Sequence, residues 1–227
     1  MKISGIQKLS LVDFDGHISA TIFLSGCNFA CPFCHNSGLV KNSEPEISEN
    51  EILNYLIKRK NMLDAVCISG GEPTLYKDLP TFIEKIKKLG YLVKLDTNGT
   101  NPNMIKELYQ NRLIDYIAMD IKGSPEKYNL ITASNVDFGI IKESIEYIMS
   151  CGIDYEFRTT LVEGFHEKSD MEAIGKLIKH ARKYYLQRFE DNGSCIQNNL
   201  SPIKKDEALE FQSILSKNIS NVKLRGY

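Results

Sequence analysis

Gly26-Cys27-Asn28-Phe29-Ala30-Cys31-Pro32-Phe33-Cys34-His35-Asn36 decides how the rest of the chain is read. It holds three of the six cysteines. A short loop can fold three thiols this close to a common point. An ordinary [4Fe–4S] cluster takes four cysteine thiolates, and no fourth cysteine is near. A cluster on three thiolates leaves one iron without a protein ligand, free to bind a small molecule. Two plainer readings stand beside this one. Zinc takes Cys₃His sites, although side chains as close in sequence as Cys34 and His35 diverge from one another. A structural disulfide is the other.

Outward from the loop, the pattern alternates. Before it, two extended runs between Ile6 and Leu24 flank Asp13-Phe14-Asp15-Gly16, whose Asp-Gly pair signals a turn. After it, Ser48 and Glu51 make a capping box, and Ile47 and Ile52 a hydrophobic staple. Ile52, Leu53, Leu56 and Ile57 then mark a helix face. Apolar strands are expected at Ala65–Ser69, Tyr91–Leu95, Tyr116–Met119, Tyr155–Val162, Leu186–Phe189 and Val222–Leu224. Helices between them are marked by Phe82, Ile83, Ile86 and Leu89, by Met104–Leu108, by Ile140, Ile141, Ile145 and Ile148, by Ile174, Leu177, Ile178 and Ala181, and by Ala208–Leu215. Strands alternating with helices specify a parallel sheet. About six units are too few for a closed eight-fold barrel. The expected fold is α/β, an open, curved (βα)₆ partial barrel of the TIM type. One domain, 1–227, is expected: an N-terminal β extension (1–20), a core (21–200), and a C-terminal helix with a short strand (201–227).

The chain of 227 residues is 42% hydrophobic with a formal net charge of -1. That suffices for a core and suggests no polyanion-binding surface. No basic run or aromatic-interleaved basic patch points to nucleic acid. No h-region opens the chain, and no apolar run reaches membrane-spanning length. A cytoplasmic location without membrane partner is expected, and in that reducing compartment clustered thiols mean metal or catalysis. Cys67, in Ala-Val-Cys-Ile, reads as a small buried hydrophobe; Cys151 sits near a helix end; Cys195 lies in a polar segment. Of His17, His35, His166 and His180, no pair has metal-ligand spacing, and His180 reads as an exposed helix residue.

Cys27, Cys31, Phe33 and Cys34, as Cys-x₃-Cys-x-aromatic-Cys, resemble the radical S-adenosylmethionine (SAM) superfamily. His35-Asn36 makes the loop similar to the branch that activates glycyl-radical enzymes, and within it to the small activating proteins of anaerobic (class III) ribonucleotide reductase. The resemblance covers nearly the whole chain. It implies a [4Fe–4S] cluster on Cys27, Cys31 and Cys34, SAM as cosubstrate at the open iron, and the partial-barrel fold. It also implies the reaction: one electron from the reduced cluster breaks the C5′–S bond of SAM. The 5′-deoxyadenosyl radical then takes a hydrogen atom from a glycine Cα of a partner protein. No acid–base residue is needed for that chemistry, and none stands out.

Polar residues gather where strands end, as ligand sites in parallel α/β folds require. Gly70-Gly71-Glu72-Pro73 follows the second strand of the core. Two residues without Cβ let the backbone approach a ligand, though a tight turn is the plain alternative. Their carbonyls with the Glu72 carboxylate suit an ammonium group, and the resemblance assigns this segment to the amino group of SAM. Asp96-Thr97-Asn98-Gly99 reads either as a helix-start turn or, by resemblance, as ribose and cation contacts. Asp120 and Lys122 resemble the Asp-x-Lys of the activating enzymes, where the lysine contacts SAM and paired aspartates hold a monovalent cation. Asp96 and Asp120 on neighbouring strand ends repel unless a cation lies between them; two solvated aspartates and a helix-capping lysine are the plain alternative. Arg158, on a β-prone strand, needs a partner if buried; a SAM carboxylate or a structural carboxylate serves equally. Thr160 faces the same side, and the resemblance puts adenine contacts near it and at the Phe33 backbone.

A cluster poised to reduce SAM needs a low potential, within the roughly −700 to +450 mV range of such centres, and so a flavodoxin- or ferredoxin-type donor. At this length an elaborate substrate-capping domain is not expected and the mouth is expected to be open, which suits a loop of a glycyl-radical enzyme as substrate. Asp191–Asn199 is a candidate for the docking rim. Three alternatives remain open at this level: a pyruvate formate-lyase-type activase, a radical SAM enzyme acting on a small molecule or peptide, and a non-enzymatic iron–sulfur or zinc protein.

Overall fold

In the computed structural model the described residues are 1–41, 43–191 and 193–227. Strands β1 (Ile3–Ser10) and β2 (Ser19–Leu24) form an antiparallel hairpin. Helices α1 (Ser37–Val40) and α2 (Glu49–Arg59) follow, then β3 (Ala65–Gly70), α3 (Leu79–Lys88), β4 (Leu92–Thr97), α4 (Pro102–Gln110) and β5 (Tyr116–Asp120). The chain continues through α5 (Tyr128–Thr132), α6 (Phe138–Ser150), β6 (Asp154–Leu161), α7 (Lys168–Leu177), β7 (Tyr184–Arg188), α8 (Lys205–Leu215) and β8 (Val222–Arg225). The eight strands lie in chain order in one sheet, with β2 to β8 parallel and β1 not paired to β8. Each helical crossover therefore moves the chain one strand along, and the sheet curls without closing, as expected for a partial barrel.

Local chemistry accounts for these elements. Ser48 Oγ accepts from Glu51 N–H at 3.2 Å and starts α2. Ile52 and Leu56 of α2 are buried, but Ile57 is 56% exposed, so the apolar stripe is narrower than the sequence pattern predicts. Ile140 likewise sits off the buried face formed by Ile141, Ile145 and Ile148. The short helices α1 and α5 and a 3-10 turn at Pro73–Leu75 carry too few residues for a periodic signal. Both ends of β4 fall one or two residues later than the apolar run suggests, because Asp96 and Thr97 still pair with β5.

The floor of the barrel is sealed by the turn between β1 and β2. Phe14 packs 5.4 Å from the Tyr116 ring, Lys94 Nζ donates to the Asp13 carbonyl, and Tyr185 donates to Asp15 at 3.2 Å. With the N-terminal end blocked, the opposite end, where strands deliver their C-termini, is the open one.

Candidate active site

The loop after β2 is pinned on several sides. Gly26 N–H donates to Leu39 O at 2.8 Å, Ala30 N–H to Thr132 O at 3.0 Å, and Gln197 N–H to Pro32 O at 2.9 Å. Gly71 N–H reaches back to Leu24 O and Glu72 N–H to Gly26 O, both at 2.8 Å. Phe29 and Phe33 are the loop's apolar anchors, edge-on to Tyr128 at 6.2 Å and Phe165 at 5.9 Å. Cys27, Cys31 and Cys34 are free thiols that line one cleft with Phe33, Gly70, Gly71, Asp96, Thr97, Asn98, Asp120, Lys122, Arg158 and Thr160. The cleft encloses about 840 Å³, counting space open to solvent.

The donor set fits a cluster better than a single ion. Among the described residues no three of His, Cys, Asp or Glu converge on one metal position, whereas the three thiols share a wall of the cleft. His35 also lines the cleft, and its ring stacks on Phe189 at 5.3 Å. Burial pushes the Cys27 thiol up to about 12 and the Cys31 thiol to about 11. Thiolates here need the compensating charge of bound metal.

Opposite the thiols, charge is concentrated on strand ends. Arg158 Nε donates to Asp120 Oδ1 at 2.8 Å and Nη1 stands 3.4 Å from Asp96 Oδ2. The positive charge required between the two aspartates is therefore this guanidinium. Lys122 Nζ donates to Asp120 Oδ2 at 2.9 Å, and Ser69 Oγ to Asp96 Oδ2 at 3.1 Å. Burial opposes the Asp120 charge, yet Arg158 and Lys122 hold its carboxyl well below the usual range. Burial likewise opposes the charge of Lys122, and Asp120 holds it above its ordinary value. Asp96 Oδ1 is buried without a hydrogen bond, with Lys94 Nζ 3.6 Å away. Beneath the mouth, Lys94 and Glu156 are almost wholly buried, 3.7 Å apart, and Arg225 reaches Glu156 at 3.4 Å. This charged column inside the barrel is absent from the sequence-based expectations. Its signal was a lysine and a glutamate two residues before Asp96 and Arg158, on the same strand faces.

Two expected ligand contacts take a different form. The Glu72 side chain is fully buried and outside the cleft lining. Oε1 accepts from Thr74 N–H at 3.1 Å, from Thr74 Oγ1, and from Thr97 Oγ1 at 2.8 Å, while Oε2 accepts from Asn98 N–H at 2.6 Å. Glu72 thus joins the ends of β3 and β4. The glycines serve the protein's own backbone: a Cβ on Gly71 would lie 2.0 Å from Gly26 O, and one on Gly70 2.3 Å from Leu24 O. They let the cysteine loop close onto β3, and they also line the cleft. Asn98 Nδ2 donates to Asn28 Oδ1 at 2.9 Å and lies 3.9 Å from Cys27 Sγ, tying β4 to the cysteine loop. Cys67 is buried, and Cys151 directly follows α6. Cys195 is buried on the loop docked at Pro32; Asn192 of the suggested rim lies outside the described residues.

Comparison with known proteins gives a consistent picture. A model of the radical SAM superfamily matches residues 21–178. A candidate glycyl-radical enzyme activating enzyme of Methanocaldococcus jannaschii is 38% identical over 98% of this chain and 95% of its own. A pyruvate formate-lyase-activating enzyme of Listeria monocytogenes is 34% identical over 60% of this chain and 61% of its own. Among solved structures, a domain of a pyruvate-formate lyase-activating enzyme from Bacteroides vulgatus superposes with a TM-score of 0.59 at 17% identity, over 71% of this chain and 99% of that one. SuiB of Streptococcus suis bound to SAM superposes with a TM-score of 0.70 at 13% identity, over 91% of this chain and 52% of that one. At such identities these likenesses concern the fold alone. No helix among the described residues is long and apolar enough to cross a membrane.

Proposed function

Because the chain belongs to the radical SAM superfamily, in its glycyl-radical enzyme activating branch, we propose that it cleaves SAM at a [4Fe–4S] cluster and installs a glycyl radical on an anaerobic ribonucleotide reductase. One observation carries this reading: three free thiols share a cleft with Asp96, Asp120, Lys122 and Arg158. Cys27, Cys31 and Cys34 hold the cluster. The cluster, when bound, supplies the electron that breaks the C5′–S bond of SAM.

The chain's own residues bind and orient. Lys122 and Arg158 are the cations that face the cleft, and they attract the SAM carboxylate. Carbonyls of Gly70 and Gly71 take the ammonium group, with Glu72 holding that turn in place. Thr97 and Asn98 flank the ribose, and Phe33 and Thr160 the adenine. A monovalent cation beside the SAM carboxylate would share Asp96 and Asp120 with Arg158. The chain acts as a single domain, 1–227, a reading supported by the large core that includes both Ile3 and Val222. Electrons come from a flavodoxin- or ferredoxin-type donor in the cytoplasm, and neither nucleic acid nor membrane takes part. The open mouth admits a glycine-bearing loop of the partner.

Anaerobically loaded protein, reduced with dithionite in the presence of SAM, is expected to release 5′-deoxyadenosine and methionine. Loaded protein that releases neither contradicts the reading.

A further inference from the structure

We propose that His166 is a positioning residue that holds the Lys122 main chain against the SAM cleft and so sets the affinity for SAM. The inference rests on the assignment of the cleft to SAM.

His166 lies in the loop between β6 and α7 and is 2% exposed. Its Nε2 is 2.9 Å from Lys122 O, and its Nδ1 is 3.1 Å from Val162 N. A carbonyl only accepts, so Nε2 carries the proton; an amide N–H only donates, so Nδ1 is bare. Both nitrogens of one neutral tautomer are thereby committed, one to the segment after β5 and one to the segment after β6.

The place is a gap in the sheet. Pairing between β5 and β6 ends at Asp120 and Arg158, and one more hydrogen bond, Ile121 N–H to Arg158 O at 2.8 Å, follows. Ile121 O is taken by Thr159 Oγ1. Lys122 O is the next carbonyl along, and the imidazole takes it where the ladder no longer reaches. Farther on, the same loop is held by Asp170, which accepts from Ser124 Oγ at 2.6 Å and from Lys127 Nζ at 2.9 Å. His166 thus secures the stretch of that loop that carries the cleft's lysine. Its ring also lies edge-on to Phe33 of the cysteine loop at 6.2 Å. The cysteine loop and the segments after β5 and β6 thus meet on this side chain. None of its atoms needs to touch SAM.

The amides of Gln and Asn separate the two bonds. A Gln side chain is long enough to donate to Lys122 O, whereas Asn reaches only as far as Nδ1 does. His166→Gln is expected to bind SAM within about threefold of the wild type, and His166→Asn and His166→Phe about tenfold more weakly or worse. The measurement is isothermal titration of SAM into cluster-loaded protein at matched iron content and melting temperature. In dithionite-driven turnover the loss should fall on KM for SAM, with kcat for 5′-deoxyadenosine release nearly unchanged. Equal affinity of the Gln and Asn variants overturns the inference, even if the Phe variant fails to fold. So does a loss confined to kcat. Failure of the wild-type protein to bind SAM overturns the assignment of the cleft itself, a result distinct from either.

Discussion

Arg158 and Asp120 face each other on adjacent strands, paired in register, with Nε and Oδ1 2.8 Å apart. The same guanidinium reaches Asp96 at 3.4 Å, so two carboxylates that would repel are held by one buried cation. Replacing Arg158 by Met removes the one cation that both carboxylates share and leaves each with only its lysine, Lys94 for Asp96 and Lys122 for Asp120. The variant is expected to lose about 3 kcal/mol of stability, read by urea denaturation of the cluster-free protein, and to bind SAM more weakly. A melting curve superimposable on the wild type would contradict this account of the pair.

Gly71→Ala separates two explanations of the Gly-Gly turn. The added Cβ would meet Gly26 O at 2.0 Å and Gly26 C at 2.6 Å. Because the clash is within the protein, stability should fall by about 1–3 kcal/mol before any ligand is added, and iron content after reconstitution should fall with it. If the glycine served only ligand approach, cluster-free stability would be unchanged.

Glu72→Gln introduces an NH₂ among groups that themselves donate: Thr74 N–H and Oγ1, Thr97 Oγ1 and Asn98 N–H. Burial pushes the Glu72 carboxyl up, against the pull of those bonds. The substitution is expected to cost about 1–3 kcal/mol, while the variant molecules that fold and load iron keep near-normal SAM affinity, since the side chain is closed off from the cleft. A SAM affinity that collapses with stability intact would return Glu72 to direct ligand contact.

Acid should unfold the cluster-free protein through two carboxylates. Burial opposes the charge of both Asp120 and Asp170. Arg158 and Lys122 lower the first below its ordinary 3.8; Ser124, Lys127 and the Glu167 N–H lower the second. A depressed folded pKa means that the unfolded chain takes up protons first. Their stabilisation is present above about pH 4 and is lost as pH falls, each group adding up to about 1.4 kcal/mol per pH unit. Urea midpoints between pH 2 and 6 measure the slope. Asp170→Asn should flatten it; an unchanged slope would show that Asp170 does not carry it.

Much of this site was legible in the chain because apolar runs end in polar residues at the open end of a parallel sheet. Cys27, Asp96, Asp120 and Lys122 announce themselves in that way, and all line the cleft. The direction in which a side chain turns was not legible. Glu72 points inward because Thr74, Thr97 and Asn98, from two elements, converge on it. The glycines accommodate a backbone distant in sequence. Lys94 and Glu156 could have been found, since a charge amid Leu92, Val93 and Leu95, or between Tyr155 and Phe157, breaks an apolar run on the face of a candidate site residue. His166 carries no such mark: its partners are two main-chain groups, which leave no trace in a sequence.

Electron spin resonance decides whether this chain makes a glycyl radical on the reductase. Cluster-loaded protein, dithionite, SAM and the anaerobic ribonucleotide reductase are mixed without oxygen. A glycine-centred radical is expected on the reductase with the wild-type chain and none with Cys31→Ala, whose cleft lacks one of the three thiols. A wild-type chain that releases 5′-deoxyadenosine yet leaves the reductase without a radical would contradict it.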